Sequence, residues 1–152
     1  MSAWIGHTNQ KLYQARLLLQ QSEQARPDAL AQALEVSAIY HIHDAYLCYL
    51  HELAEMVQYS GAVVSLSQLL DSASLVTGEM QELKALEQDA FSWLATLLSL
   101  ANDSLQGQSG ANKMATDASL IAVAQPAESP VYQCYQRLVE LIERQRENRQ
   151  ES

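Results

Sequence analysis

The chain is 152 residues long, 48% apolar and 18% charged, with a mean hydropathy of -0.16, which suits one compact domain and is too short for two of ordinary size. That balance excludes a disordered or collagen-like chain, and the longest apolar runs fall far short of a membrane span. The formal net charge is -9, with eleven acids and one base, Lys84, between Asp28 and Asp103, so a phosphate backbone or an anionic membrane surface would be repelled and neither is expected as a partner.

A content of 23 Leu, 21 Ala and 17 Gln against 5 Gly and 3 Pro is that of a helical protein. Thr8 is placed to cap a first helix from Asn9 to about Arg26, with Leu12, Ala15, Leu18, Leu19 and Ala25 at helical spacing. Pro27 ends it, and Asp28 opens a second helix with no Gly or Pro until Gly61, about 48 Å long if continuous. A short helical segment follows from Ser65 to Ala73. A third long helix begins at Glu79, its stripe running Met80, Leu83, Leu86, Ala90, Trp93, Leu94, Leu97 and Ala101.

From Leu105 to Ser129 the pattern breaks into a polar, Gly- and Pro-containing loop with one apolar patch, Leu120 to Val123. Ser129 and Pro130 then start the last helix, whose face Val131, Cys134, Tyr135, Leu138, Leu141 and Ile142 ends at Glu143. There is no internal repeat and no strand-period segment. The expected fold is all-α, an antiparallel four-helix bundle with one extra short helix and a long loop before the last helix. Residues 1–152 are expected to form a single helical domain, with an ordered core over about 8–143, the loop over about 105–129 and a neutral, solvated tail over about 144–152. Met1 to Gly6 lacks the pattern of a signal peptide, and Cys48 and Cys134 form no disulfide framework, so a cytoplasmic location with buried free thiols is expected.

The second helix holds the one polar cluster with chemical potential. At 100° per residue, His41, Asp44, Cys48, His51, Glu52 and Glu55 share about a third of its circumference, opposite Ile39, Ile42, Tyr46, Leu47, Leu50, Leu53 and Val57. His41, Asp44, His51 and Glu55 offer nitrogen and oxygen donors that suit zinc or iron. A bundled helix also ordinarily leaves such a stripe to solvent, and the Glu-x-x-His pairs of di-iron bundles are missing. His51-Glu52-Leu53-Ala54-Glu55 begins like the zinc peptidase motif but has Glu55 where the second histidine belongs. No phosphate loop or nucleophile elbow occurs, no catalytic residues are assigned, and no cofactor is expected.

Seven tyrosines against one phenylalanine is the other departure from ordinary composition. Tyr40, Tyr46, Tyr49 and Tyr59 radiate in several directions, either as core edges with wet hydroxyls or as anchors for a partner.

Thr8-Asn9-Gln10-Lys11-Leu12-Tyr13 with Ala15-Arg16-Leu17, His51-Glu52-Leu53-Ala54, and Leu83-Lys84-Ala85-Leu86-Glu87 followed by Ser92-Trp93-Leu94 together resemble a small family of uncharacterised helical proteins from gammaproteobacteria, including pseudomonads. The resemblance implies a bacterial origin and a helical fold, and brings no activity or site residue with it. The function expected from the sequence is a protein-protein interaction or adaptor module bound through the four tyrosines, with a second copy of the chain among the candidate partners. The alternative is a metal-binding bundle using the histidine and carboxylate stripe.

Overall fold

A computed structural model of the chain describes residues 2–106 and 129–151. Among them are six helices and no strand: α1 (Ala3–Gln24), α2 (Asp28–Met56), α3 (Leu66–Ser72), α4 (Gly78–Gln88), α5 (Trp93–Gln106) and α6 (Pro130–Glu151). The Leu120 to Val123 patch and most of the expected loop lie outside the described residues.

Helix α1 begins six residues earlier than expected. Ser2, not Thr8, is its cap, its hydroxyl accepting from the Trp4 N–H at 3.1 Å. Trp4 and Thr8 lie in register with Leu12, Ala15 and Leu19, so one stripe runs through Gly6, a glycine that costs a helix only about 1 kcal/mol. Thr8 is fully buried within that stripe. The short Ala25–Pro27 connection folds α2 back against α1, and this pair makes the most extensive helix contact in the molecule. Ala15, Ala38 and Ala45, all completely buried, keep the backbones close, and Ile39, Ile42, Tyr46, Leu50 and Leu53 extend the core.

Helix α2 ends before Gly61, in a Schellman turn: Tyr59 N–H donates to Ala54 O at 2.9 Å and Gln58 N–H to Glu55 O at 3.0 Å. Gln58 takes the position normally given to glycine, at φ 60°. Gly61 serves the following loop instead. A Cβ there would stand 2.4 Å from the Tyr59 hydroxyl, so only glycine lets that ring fold over the chain.

The long helix expected from Glu79 is two helices. At the junction Asp89 Oδ1 accepts the Phe91 N–H at 3.0 Å, and the Ser92 hydroxyl donates to Leu86 O while accepting the Ala95 N–H at 3.0 Å. Both side chains offer the backbone non-helical bonds, which is why aspartate and serine favour caps over helix interiors. Helices α4 and α5 pack on each other, and α5 and α6 pack together against α2, with α6 also reaching α1.

The tail beyond Glu143 requires a correction. It is the last two turns of α6, not a solvated end: Gln145 is buried and Arg146 and Arg149 are largely covered by ion pairs to other helices. The α6 face continues Leu138, Ile142, Gln145, Arg149 at helical spacing, and polar residues in those last turns are matched across the interface.

Replacing Gln58 by glycine removes the strain of a left-handed conformation at a cost in chain entropy, so Gln58→Gly is expected to raise stability by about 0.5–1 kcal/mol, or about 1–4 °C in Tm. A Tm that stays level or falls in a thermal melt refutes this account of the α2 terminus.

Candidate functional site

The described residues concentrate their polar chemistry where α1, α2, α4 and α6 meet. Glu52 projects from α2 at the spacing of Ala45 and Tyr49, on the core side, and its side chain is only 3% exposed. It accepts from Arg146 Nη2 at 2.7 Å and Nε at 3.2 Å and from the Thr8 hydroxyl at 2.6 Å. Arg146 Nη1 donates onward to Asn9 Oδ1 at 2.9 Å. One carboxylate therefore ties α1, α2 and α6. This corrects the expectation that Glu52 shares the solvent stripe with Glu55: its neighbours in helical register are apolar, and Arg146, 94 residues away, neutralises it.

A second chain of bonds begins beside it. The buried Tyr49 hydroxyl donates to Gln145 Oε1, whose Nε2 donates to Glu82 Oε1 at 2.9 Å. Arg149 Nη1 donates to Tyr49 Oη at 3.1 Å and to Glu79 Oε2 at 3.2 Å, and Arg144 grips both oxygens of Glu82. The Arg144 guanidinium holds the Glu82 carboxyl below its usual range, against the opposing effect of burial. Burial pushes the Tyr49 phenol up to about 12, with Arg149 pulling the other way. Tyr46, nearly as enclosed, donates to Glu87 Oε2, and burial followed by that carboxylate drives its phenol upward.

Among the described residues no buried side-chain nitrogen or oxygen lacks a partner. A network satisfied in this way positions helices and presents no orphaned group to a substrate. The thiols share that character: burial pushes Cys134 up to about 11 and Cys48 upward, so both stay protonated near neutral pH.

The candidate metal residues are not brought together. His41 Nδ1 donates to Ser37 O at 2.9 Å and His51 Nδ1 to Leu47 O at 2.9 Å, each bonding its own helix backbone. Exposed Asp44 sits 3.7 Å from Lys11 Nζ, and Glu55 is exposed at the end of α2. Fourteen residues of helix separate His41 from Glu55, about 21 Å along the axis, too far apart to share one ion. Among the described residues no group of three or more His, Cys, Asp or Glu side chains gathers to hold a metal ion.

The four tyrosines divide. Tyr46 and Tyr49, 1% and 0% exposed, face inward and have no surface to offer a partner, a correction to the expected tyrosine face. Their hydroxyls are spent on Glu87 and Gln145, partners on other helices that make full burial of a tyrosine tolerable. Tyr40 and Tyr59 remain half-buried.

Two of the open grooves among the described residues are lined by a tryptophan. One, of about 490 Å³, lies between the start of α1 and the loop after α2 and is walled by Trp4, His51, Glu55 and Tyr59. The other, of about 980 Å³, runs beside the α4–α5 corner and is lined by Leu86, Phe91, Trp93, Cys134 and Arg137 among others. Sequence reasoning singled out neither Trp4 nor Phe91. Trp4 was discoverable as the residue one turn before Thr8 in the α1 stripe. Phe91 carried no signal, because an apolar residue inside an apparently continuous helix reads as core.

The chain belongs to the family of unknown function DUF6586, whose model matches residues 1–152. No curated protein and no solved structure matches it. No described helix is long and apolar enough to cross a membrane.

Removing a partner from the Glu52–Arg146 pair strands a buried charge, so Glu52→Ala is expected to cost about 3–5 kcal/mol in urea denaturation, whereas Arg144→Ala, at an exposed pair, should cost less than about 1 kcal/mol. Equal costs would show that the buried pair has no special role. The raised Tyr49 phenol gives a second expectation. A group whose pKa is raised in the fold stabilises it fully below the unfolded value of 10.0 and loses that contribution as pH rises through about 12. Melting temperature should thus fall between about pH 10 and pH 12, and Tyr49→Phe should flatten that fall. An unchanged slope in the variant counts against it.

Proposed function

We propose that this chain is a cytoplasmic protein-interaction module, an antiparallel four-helix bundle that presents the α4–α5 corner to a partner. The observation that carries this reading is Phe91. It is the chain's one phenylalanine and is 98% exposed, the most exposed of its large apolar residues among those described. Scattered apolar residues on a surface need no explanation, but this one is held on a corner locked by Asp89 and Ser92 beside an open groove. Burying such a ring in a partner is worth about 1.5–3 kcal/mol, and a rigid corner loses little entropy in doing so. Leu86 and Trp93 give the adjoining groove an apolar floor, and Arg137, Asp89 and Glu140 give it a charged rim, the layout of an anchor with a polar surround.

A photo-crosslinking residue placed at position 91 in cells should yield a specific adduct, to another protein or to a second copy of the chain. The same residue at exposed Gln81 on α4 should not. Absence of any adduct at 91, or the same adducts from both positions, overturns the assignment of this corner.

A further inference from the structure

We propose that the groove between the start of α1 and the loop after α2 is a binding site for an organic cation, a guanidinium or ammonium group. Part of its wall is aromatic, from Trp4, His51 and Tyr59. Trp4 stacks on His51 with ring centroids 3.9 Å apart and planes 19° from parallel, and His7 makes an edge contact with Trp4 at a centroid separation of 5.4 Å, so two rings hold the indole. Tyr59 is fixed across the groove by its hydroxyl, which donates to Ala62 O at 3.3 Å and accepts from Gln68 Nε2 at 3.1 Å. Aromatic faces attract cations through their quadrupoles, and a planar guanidinium stacks on them as well.

Two of the polar side chains at the same place, Glu55 and His51, can accept a hydrogen bond. Glu55 is exposed at the rim, and no ion pair engages it among the described residues. His51 donates through Nδ1 to Leu47 O, which leaves Nε2 of the neutral ring as an acceptor. No lysine or arginine lines the groove. The carboxylate supplies a counter-charge, the imidazole a hydrogen-bond acceptor and the rings a surface, and a net charge of -9 favours the approach of any cation.

The backbone here is also constrained. Gln58, on the groove wall, is the one described non-glycine residue with positive φ, and Gly61 is the residue whose lack of a side chain lets the Tyr59 ring lie where it does. Both belong to the turn that ends α2 and the loop after it, which fix this wall of the groove. Two separate features, the fixed aromatic pair and the unengaged carboxylate, thus fall on one groove of about 490 Å³. That volume accommodates the end of an arginine or lysine side chain or a small free amine.

The test uses the full chain labelled with 15N at its two tryptophans, so that the indole N–H of Trp4 is observed directly beside that of Trp93. The probe is N-acetyl-arginine amide, and N-acetyl-citrulline amide is its uncharged isostere. The arginine probe should shift the Trp4 indole signal saturably, the citrulline probe should not, and Glu55→Gln should weaken arginine binding about tenfold, the loss of one charge-assisted hydrogen bond. Glu55 is exposed, so that variant is expected to keep the fold, and an unchanged Trp93 signal confirms it. A five-residue peptide blocked at both ends, with a single central arginine and otherwise uncharged residues, separates the sources: tighter binding than the amide assigns the site to a basic segment of a chain, and equal binding assigns it to a free cation. No saturable shift, an equal response to citrulline, or indifference to Glu55→Gln overturns the proposal.

Discussion

The arrangement depends on a carboxylate that cannot be left alone. Glu52 stands among core residues of α2 with its side chain 3% exposed, and an unpaired charge there would cost several kcal/mol, a large part of the 5–15 kcal/mol that typically holds a domain together. Arg146 and Thr8 resolve it, and in doing so they bind the last turns of the chain to the first. A pair of apolar side chains could fill the same space and would serve stability as well or better. What the ion pair adds is register: only one setting of α6 against α1 and α2 brings a guanidinium onto that carboxylate and onto Asn9. Tyr49, Gln145, Glu82 and Arg149 repeat the device one layer away, so α4 is held to α6 by the same kind of matched polar seam.

With one end secured in this way, the two features that face outward can be rigid without a core of their own. The α4–α5 corner is short and held by side-chain caps, and it exposes Phe91 at a fixed place. The Trp4 and Tyr59 groove sits over the first turn of α1 and the end of α2, the ends that Glu52 and Arg146 hold together. Both surfaces therefore inherit their precision from the polar seam, and a lesion at Glu52 would be felt at the groove through α1 before it was felt at the corner.

Much of the helical content was legible from spacing. The ends of α1 and α2 at Pro27, the Ser65 cap of α3 and the Ser129-Pro130 start of α6 rest on local chemistry that does not wait for tertiary contacts. The histidine and carboxylate stripe was legible as a face of α2, with Asp44 and Glu55 exposed and His41 and His51 half-buried. Glu52 was misassigned to it because a helical wheel gives angles alone: 52 lies next to 48 and 55, yet also in register with 45 and 49, and the neighbouring helix decides which company it keeps. Tyr46 and Tyr49 were misjudged for a related reason. A phenol is costly to bury alone and cheap to bury against Glu87 or Gln145, residues 41 and 96 positions away.

By itself the sequence determined the helical class, the placement of most helix starts and stops, and an acidic surface, since each of these follows from composition, period and capping within a few residues of chain. Tertiary structure decided which polar residues are inside and that the arginines of the last turns pair with α1, α2 and α4 partners instead of with their own helix. Those outcomes depend on which groups meet across 40 to 140 positions of sequence. Burial of a charge or a phenol is favourable only once its partner has been delivered, and no local pattern records that delivery.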